Sequence, residues 1–336
     1  MKNIPQVLID NVHLVKKLTD NYTNKVLPNS LIIHGPQGIG KSTFSFFIIK
    51  NIYSEITSDN SKAHHINLIN NNTHPNIKYL QKTFDEKNNK FKNYITIEQI
   101  RILENFIHQL SFDNFPKFIV IDSADDLNLS AANALLKILE EPKKNTYFIL
   151  IAHQISSLLA TLRSRCVKFN FEKPSFESFK KILLFHNDNL KSEEISFLFD
   201  LSNGSPGLAL ELFSEYMKDV YTTILEILSE KDPLSSKVIN LSTSVSAYSN
   251  EQFKIYISII KFILITILKI NAGCNFSNLF RSNILQSLEK LSISFDYPIC
   301  FEMLEYLNNN EKDLFFYNLD KKIFNLNFFI PLNKLT

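Results

Sequence analysis

Residues 35–42 read GPQGIGKS, with glycines at 35, 38 and 40 ahead of Lys41 and Ser42. The string matches G-x-x-x-x-G-K-[ST], a pattern that constrains a fold more than any other feature of this chain. Such a loop has to join the end of a buried strand to the start of a helix, so that loop and helix N–H groups converge on a phosphate. The flanks comply. Leu31–His34 (LIIH) is a short apolar run that ends at a glycine, and Thr43–Ile52 has helical character. Glycine is scarce, six in 336 residues, and three of the six lie in this window. They let backbone approach a ligand without a clashing Cβ.

The loop predicts phosphate-contacting positions at Gly35, Pro36, Gln37, Gly38, Ile39, Gly40, Lys41, Ser42 and Thr43. Lys41 would reach the β/γ-phosphates and the Ser42 hydroxyl would hold Mg²⁺. ATP or ADP with Mg²⁺ is the expected cofactor. The alternative is an inherited loop that no longer binds nucleotide.

Further strands follow at Lys117–Asp122 (KFIVID), Thr146–Ala152 (TYFILIA) and Val167–Phe171 (VKFNF). Helices are expected between them over Thr96–Leu110 and Ser130–Glu141, the latter stopped by Pro142, with Ser130 as its N-cap. Strands alternating with helices imply a parallel sheet covered on both faces. The stretch 59–93 is polar and Asn-rich and reads as an insertion or long loop. From Glu172 onward the periodicity is helical. The chain therefore divides into an α/β domain over 1–172, a small helical domain over 173–216 and a larger all-α domain over 217–336.

Composition bounds the partners. The net charge is +2, too small for a chain that wraps duplex DNA alone, although a contact made by an assembly is compatible with it. Cys166, Cys274 and Cys300 are far apart, without a CxxC pair, so neither a disulfide framework nor a thiolate metal site is expected. The start, MKNIPQVLIDNVH, has no apolar signal core, and the apolar stretch near Ile255–Ile270 is interrupted by Lys261 and Lys269. It reads as a buried helix, so no membrane association and a cytoplasmic location are expected.

The catalytic half of a nucleotide site looks incomplete. In IVIDSADDL (119–127), Asp122 ends the strand and could hold Mg²⁺ through water. The next residue is Ser123, whose hydroxyl pKa is far too high for a general base. Asp125 and Asp126 could stand in, but they lie past the strand end. A second glycine pair sits in NGSPGLAL (203–210), strong turn chemistry ahead of a helix. In SAANALLKILEEP (130–142), Ala131, Ala134, Leu135, Ile138 and Leu139 make one buried helix face.

The SAANALLKILEEP string, the LLATLRSRC string at 158–166 and the spacing between them closely resemble bacterial clamp-loader subunits of the AAA+ class. The resemblance is strong over about 25–45 and 95–215 and weak beyond. NLDKKIFNLNFF near 318–329 is faintly similar. It implies an AAA+ fold followed by a helical lid and an oligomerising collar. It also implies that Arg165, in the Ser-Arg-Cys triplet, enters the ATP site of a neighbouring subunit as an arginine finger; an edge salt bridge is the plainer alternative, and Arg163 is expected to be supportive or solvent-facing. Hydrolytic members carry a glutamate where Ser123 stands and an arginine where Gly207 stands. The implied role is a non-hydrolysing scaffold of the DNA polymerase III holoenzyme. Its partners would be delta and tau/gamma subunits in a hetero-oligomeric ring, and through the ring a sliding clamp and primed DNA. The rivals are an ATP-hydrolysing motor subunit and an independent P-loop ATPase or helicase loader. Many relatives carry a four-cysteine zinc module. Here 51–80 has no cysteine, only His64, His65 and His74 with Glu55 and Asp59 nearby, so loop histidines and no zinc are expected.

Overall fold

The computed structural model describes residues 8–85, 90–92, 94–212, 215–274 and 284–335. The chain divides into two compact units, Met1–Ile182 and Leu183–Thr336.

The first unit runs α1 (Val12–Thr23), β1 (Ser30–His34), α2 (Lys41–Ile56), α3 (Asp59–Asn70), β2 (Ile77–Leu80), β3 (Phe84–Asp85), β4 (Lys90–Phe91), α4 (Ile97–His108), β5 (Lys117–Asp122), α5 (Leu129–Glu140), β6 (Thr146–Ala152), α6 (Ala160–Arg165) and β7 (Val167–Asn170). Five strands form one parallel sheet in the order β2-β5-β6-β1-β7. Each inner strand is buried on both faces, which is why its sequence is continuously apolar and not alternating. Ile33, Val120 and Ile151 pack toward α1, α2 and α3. Ile32, Ile119, Ile121 and Leu150 pack toward α4, α5 and α6. The expected α/β architecture is thus present, and the carboxyl ends of β1, β5 and β6 open on one edge of the sheet. In open parallel sheets that edge is where ligands bind.

Two sequence expectations are corrected here. The stretch 59–93 is not a featureless insertion: it supplies α3, the edge strand β2 and the β3–β4 hairpin. Its apolar residues are few, but Ile69 is buried and Ile66 and Ile77 pack on the same core. The Asn-rich surface masked that pattern. The N-cap of α5 is Asn128, not Ser130: its Oδ1 accepts from the Ala131 N–H at 2.8 Å.

Helix α7 (Phe176–His186) spans the unit boundary. The second unit continues with α8 (Ser192–Leu201), α9 (Pro206–Leu212), α10 (Glu215–Glu230), α11 (Ser236–Ser246), α12 (Asn250–Asn271), α13 (Ile284–Ser294), α14 (Tyr297–Phe316) and α15 (Lys321–Phe329). Helix α12 is the apolar stretch of the sequence; it packs on α13 and α14. Lys261, which interrupts it, pairs with Glu311 of α14 at 2.5 Å. No helix of the described residues is long and apolar enough to cross a membrane.

Helix α15 packs on α11 and carries the buried Asn325. Its Oδ1 accepts from Tyr256 of α12 at 2.6 Å, and its Nδ2 donates to Ser242 of α11 at 2.9 Å. One side chain therefore ties three helices together inside the core. Asn325→Ala removes the bonds to Tyr256 and Ser242 and opens a small cavity. We expect a loss of about 2–4 kcal/mol in urea unfolding, more than an exposed substitution costs. A loss below about 0.5 kcal/mol would show that the network carries little stability.

Candidate functional site

The loop after β1 is built as its sequence requires. Gly35 donates its N–H to the Ala152 carbonyl at the end of β6. A Cβ there would lie 2.2 Å from the Phe171 carbonyl oxygen, so any side chain collides with fixed backbone. Gly40 has φ 97° and serves as N-cap of α2, a left-handed conformation that only glycine adopts without strain. Lys41 follows as the first helical residue and is buried.

The Lys41 ammonium donates to the carbonyls of Gly35, at 2.6 Å, and Pro36, at 2.5 Å. Burial pushes its pKa down to about 8, against the pull of the Asp122 and Asp125 carboxylates. The loop thus folds around its own cation.

Asp122 closes β5, as expected. Its Oδ2 accepts from the Tyr79 hydroxyl at 2.5 Å. The Ser42 hydroxyl lies 3.4 Å from the same phenol oxygen. The two side chains expected to hold Mg²⁺ are therefore joined through Tyr79, and the donor set does not fit the ion in this arrangement. Burial and the adjacent carboxylate raise the Tyr79 pKa, so the phenol stays a donor. Strand register explains the meeting. Tyr79 lies opposite Val120, and Asp122 is two residues further along β5 on the same face.

The carboxylates beyond the strand end are engaged. Asp125 accepts from Ser123 Oγ at 2.6 Å, the His153 N–H at 2.6 Å, the Gln154 N–H at 3.1 Å and the Ser157 hydroxyl. Burial pushes its pKa up, but these donors outweigh burial and hold it below the usual carboxylate range. Asp126 pairs with Lys82 at 3.1 Å. His153 is half-buried at the end of β6, and burial and the Lys41 charge lower its pKa. Its Nδ1 has no hydrogen-bond partner among the described residues. Gly207 lies in the first turn of α9, after the turn that the glycine pair predicted.

Arg165 ends α6. Its guanidinium pairs with Glu140 at the end of α5, at 2.7 Å, and donates to the Thr161 carbonyl at 3.1 Å. It keeps 36% side-chain exposure and Glu140 49%. The neighbouring Arg163 is half-buried, while Cys166 is buried beneath the helix.

His64 and His65 lie on α3 and not in a loop, contrary to expectation, whereas His74 lies in the loop between α3 and β2, as expected. His65 sits on α3 and, with His74, is buried around Tyr53. The Asn76 N–H donates to His74 Nδ1 at 3.1 Å, so His74 carries its proton on Nε2 and donates it to His65 Nδ1 at 3.0 Å. Among the described residues no group of three His, Cys, Asp or Glu could hold a metal ion. Burial and the His65 charge push the His74 pKa down to about 4 from 6.5. The folded state therefore holds fewer protons, and this contribution to stability is full above 6.5 and is lost as pH falls through about 4. Urea midpoints should drop more steeply across that window for the native chain than for His74→Gln, which cannot titrate. Parallel profiles would remove the pair from the acid response.

Tyr79, His153 and Glu140 are the site residues that the sequence left unmarked. Tyr79 had a signal, the apolar alternation of Ile77–Leu80, hidden in a polar stretch. Glu140 lies inside the LEEP string and had no signal of its own.

Comparison with known proteins matches residues 11–175 to the family model described as "DNA polymerase III, delta subunit". The chain is 29% identical over 201 residues to DNA polymerase III subunit delta' of Pseudomonas aeruginosa, covering 59% of this chain and 60% of that one. It is 38% identical over 121 residues to subunit delta' of Haemophilus influenzae, covering 36% and 37%. It is 27% identical over 217 residues to subunit gamma of Buchnera aphidicola from Schizaphis graminum, covering 62% and 57%. The chain thus spans less than two thirds of the length of each of these relatives. Over residues 11–175, just under half of its length, the chain is thus similar to the DNA polymerase III delta-subunit family, and its relatives include delta' and gamma subunits of that polymerase.

Proposed function

We propose that this chain is a non-hydrolysing subunit of a DNA polymerase III clamp loader. In this reading it joins a ring of related subunits in the cytoplasm and offers Arg165 to the nucleotide site of a neighbour. Together with delta and tau/gamma subunits it would help open a sliding clamp and place it on primed DNA. Residues 1–172 would form the nucleotide-loop domain, 173–216 the lid and 217–336 the collar that holds the ring.

One observation carries the reading. The phosphate loop is intact, yet among the described residues the Asp125 and Asp126 carboxylates beyond β5 are already engaged. Ser123 stands where a base is needed, and Asp125 spends its oxygens on four donors. Gly207 presents no cation. Phosphoryl transfer depends on positioned charge and an oriented nucleophile, so both shortages count. A nucleotide held by residues 35–43 would then be structural. An ATP-hydrolysing motor would need the groups missing at 123 and 207.

Co-expression with delta and gamma subunits of the same source tests the proposal. The chain should co-elute with them as one complex on size exclusion, and the complex should load a sliding clamp on primed DNA only when this chain is included. A loader that assembles and works without it would overturn the reading.

A further inference from the structure

We propose that Tyr79 takes the place of Mg²⁺ in this site, so that the loop binds a nucleoside diphosphate without metal; this rests on the reading that residues 35–43 hold nucleotide phosphates. The phenol hydroxyl touches both side chains that would otherwise take the ion. It donates to Asp122 Oδ2 at 2.5 Å and lies 3.4 Å from Ser42 Oγ. Its ring is fixed from behind by Phe46 of α2, with centroids 5.4 Å apart. The hydroxyl is therefore held by packing and by register within the sheet.

The chemistry follows from charge. A Mg²⁺ ion demands near-octahedral oxygen ligands at close range, and a hydroxyl wedged between two of its ligands denies that geometry. A neutral donor satisfies the Asp122 carboxylate but brings no positive charge to a polyphosphate. A triphosphate then keeps excess negative charge at its β and γ groups, close to Asp122. A diphosphate ends sooner. Its terminal phosphate can be met by the loop N–H groups, the α2 N-terminus and Lys41 once Lys41 leaves the Gly35 and Pro36 carbonyls. The site is thus selective for the metal-free diphosphate.

Calorimetric titration with ADP and ATP, each in Mg²⁺ and in EDTA, tests this on the native chain, Tyr79→Phe and Tyr79→Ala. Tyr79→Phe keeps the ring packing and serves if Tyr79→Ala folds poorly. For the native chain the ADP affinity should differ by less than about twofold between Mg²⁺ and EDTA, and ADP should bind more tightly than ATP. Tyr79→Phe should gain at least about threefold, and Tyr79→Ala about tenfold, in ATP affinity from Mg²⁺. Binding of Mn²⁺ to the nucleotide-loaded chains, read by electron paramagnetic resonance, should appear only in the variants. A native chain that gains as much from Mg²⁺ as the variants, or variants that gain nothing, would overturn the inference while leaving nucleotide binding intact. If neither native chain nor variants bind nucleotide, the inference and the nucleotide reading fall together.

Discussion

The purified chain will turn over ATP no faster than its own Lys41→Ala variant. Loss of a general base alone costs about 10²–10⁴ in rate, and here the base position is a serine. The neighbouring carboxylate does not compensate. Asp125 would have to release the backbone N–H groups of His153 and Gln154 and two hydroxyls before it could accept a proton from water. Its depressed pKa makes it a poorer base still. Steady-state phosphate release, measured with and without primed DNA, checks this. Turnover on the scale of about 1 s⁻¹ that disappears in Lys41→Ala would show a working catalytic site and favour the motor reading.

Arg165→Ala will fold normally and fail in the ring. The pair with Glu140 is exposed on both sides, so its loss costs at most about 1 kcal/mol of stability. The effect on a neighbour's site is another matter. An arginine that stabilises transition-state charge in trans is worth about 10³–10⁵ in rate at the site it serves. Steady-state turnover of a whole loader will fall less if sites that this chain does not serve keep working. Arg165→Lys will recover only part of the loss, since an ammonium does not reproduce the planar fork of donors. Glu140→Gln separates the two roles of Arg165. It removes the pairing carboxylate while leaving the guanidinium in place, so turnover should stay within about threefold of native if the pair only parks the side chain.

Much of the first unit was legible because its strands are buried on both faces. KFIVID and TYFILIA have no polar break, and the structure gives them the same limits, Lys117–Asp122 and Thr146–Ala152. Helix α12 was legible for a similar reason, its lysines being the only puzzle, and Glu311 resolves one of them. The region of α3 and β2 was not legible. Strand β2 lies at the sheet edge, Lys78 is exposed and its other three residues are only half-buried, and the apolar signal of four residues is diluted by asparagine. The His65–His74 contact spans nine residues and two elements, and no local period encodes it.

The site divides along the same line. The loop 35–43 and Asp122 were legible because their chemistry is written in contiguous residues. Their engagement by Tyr79 was not, since it depends on β2 pairing with β5 in one register. The fate of Asp125 was equally hidden: three of its four donors come from 153–157, well away in sequence. Arg165 was legible through the SRC string, and its partner Glu140 became visible only once α5 and α6 were placed together.

The most direct test of the account is the ATPase of a gamma-type partner assembled with this chain. Equal amounts of native and Arg165→Ala chain are added to the partner and delta subunit, assembly is verified by size exclusion, and phosphate release is followed with clamp and primed DNA. The account predicts that the native chain stimulates turnover and that Arg165→Ala enters the ring in the same proportion but leaves much of that stimulation missing. Equal stimulation by both chains in intact rings would contradict it and reduce Arg165 to a surface residue paired with Glu140.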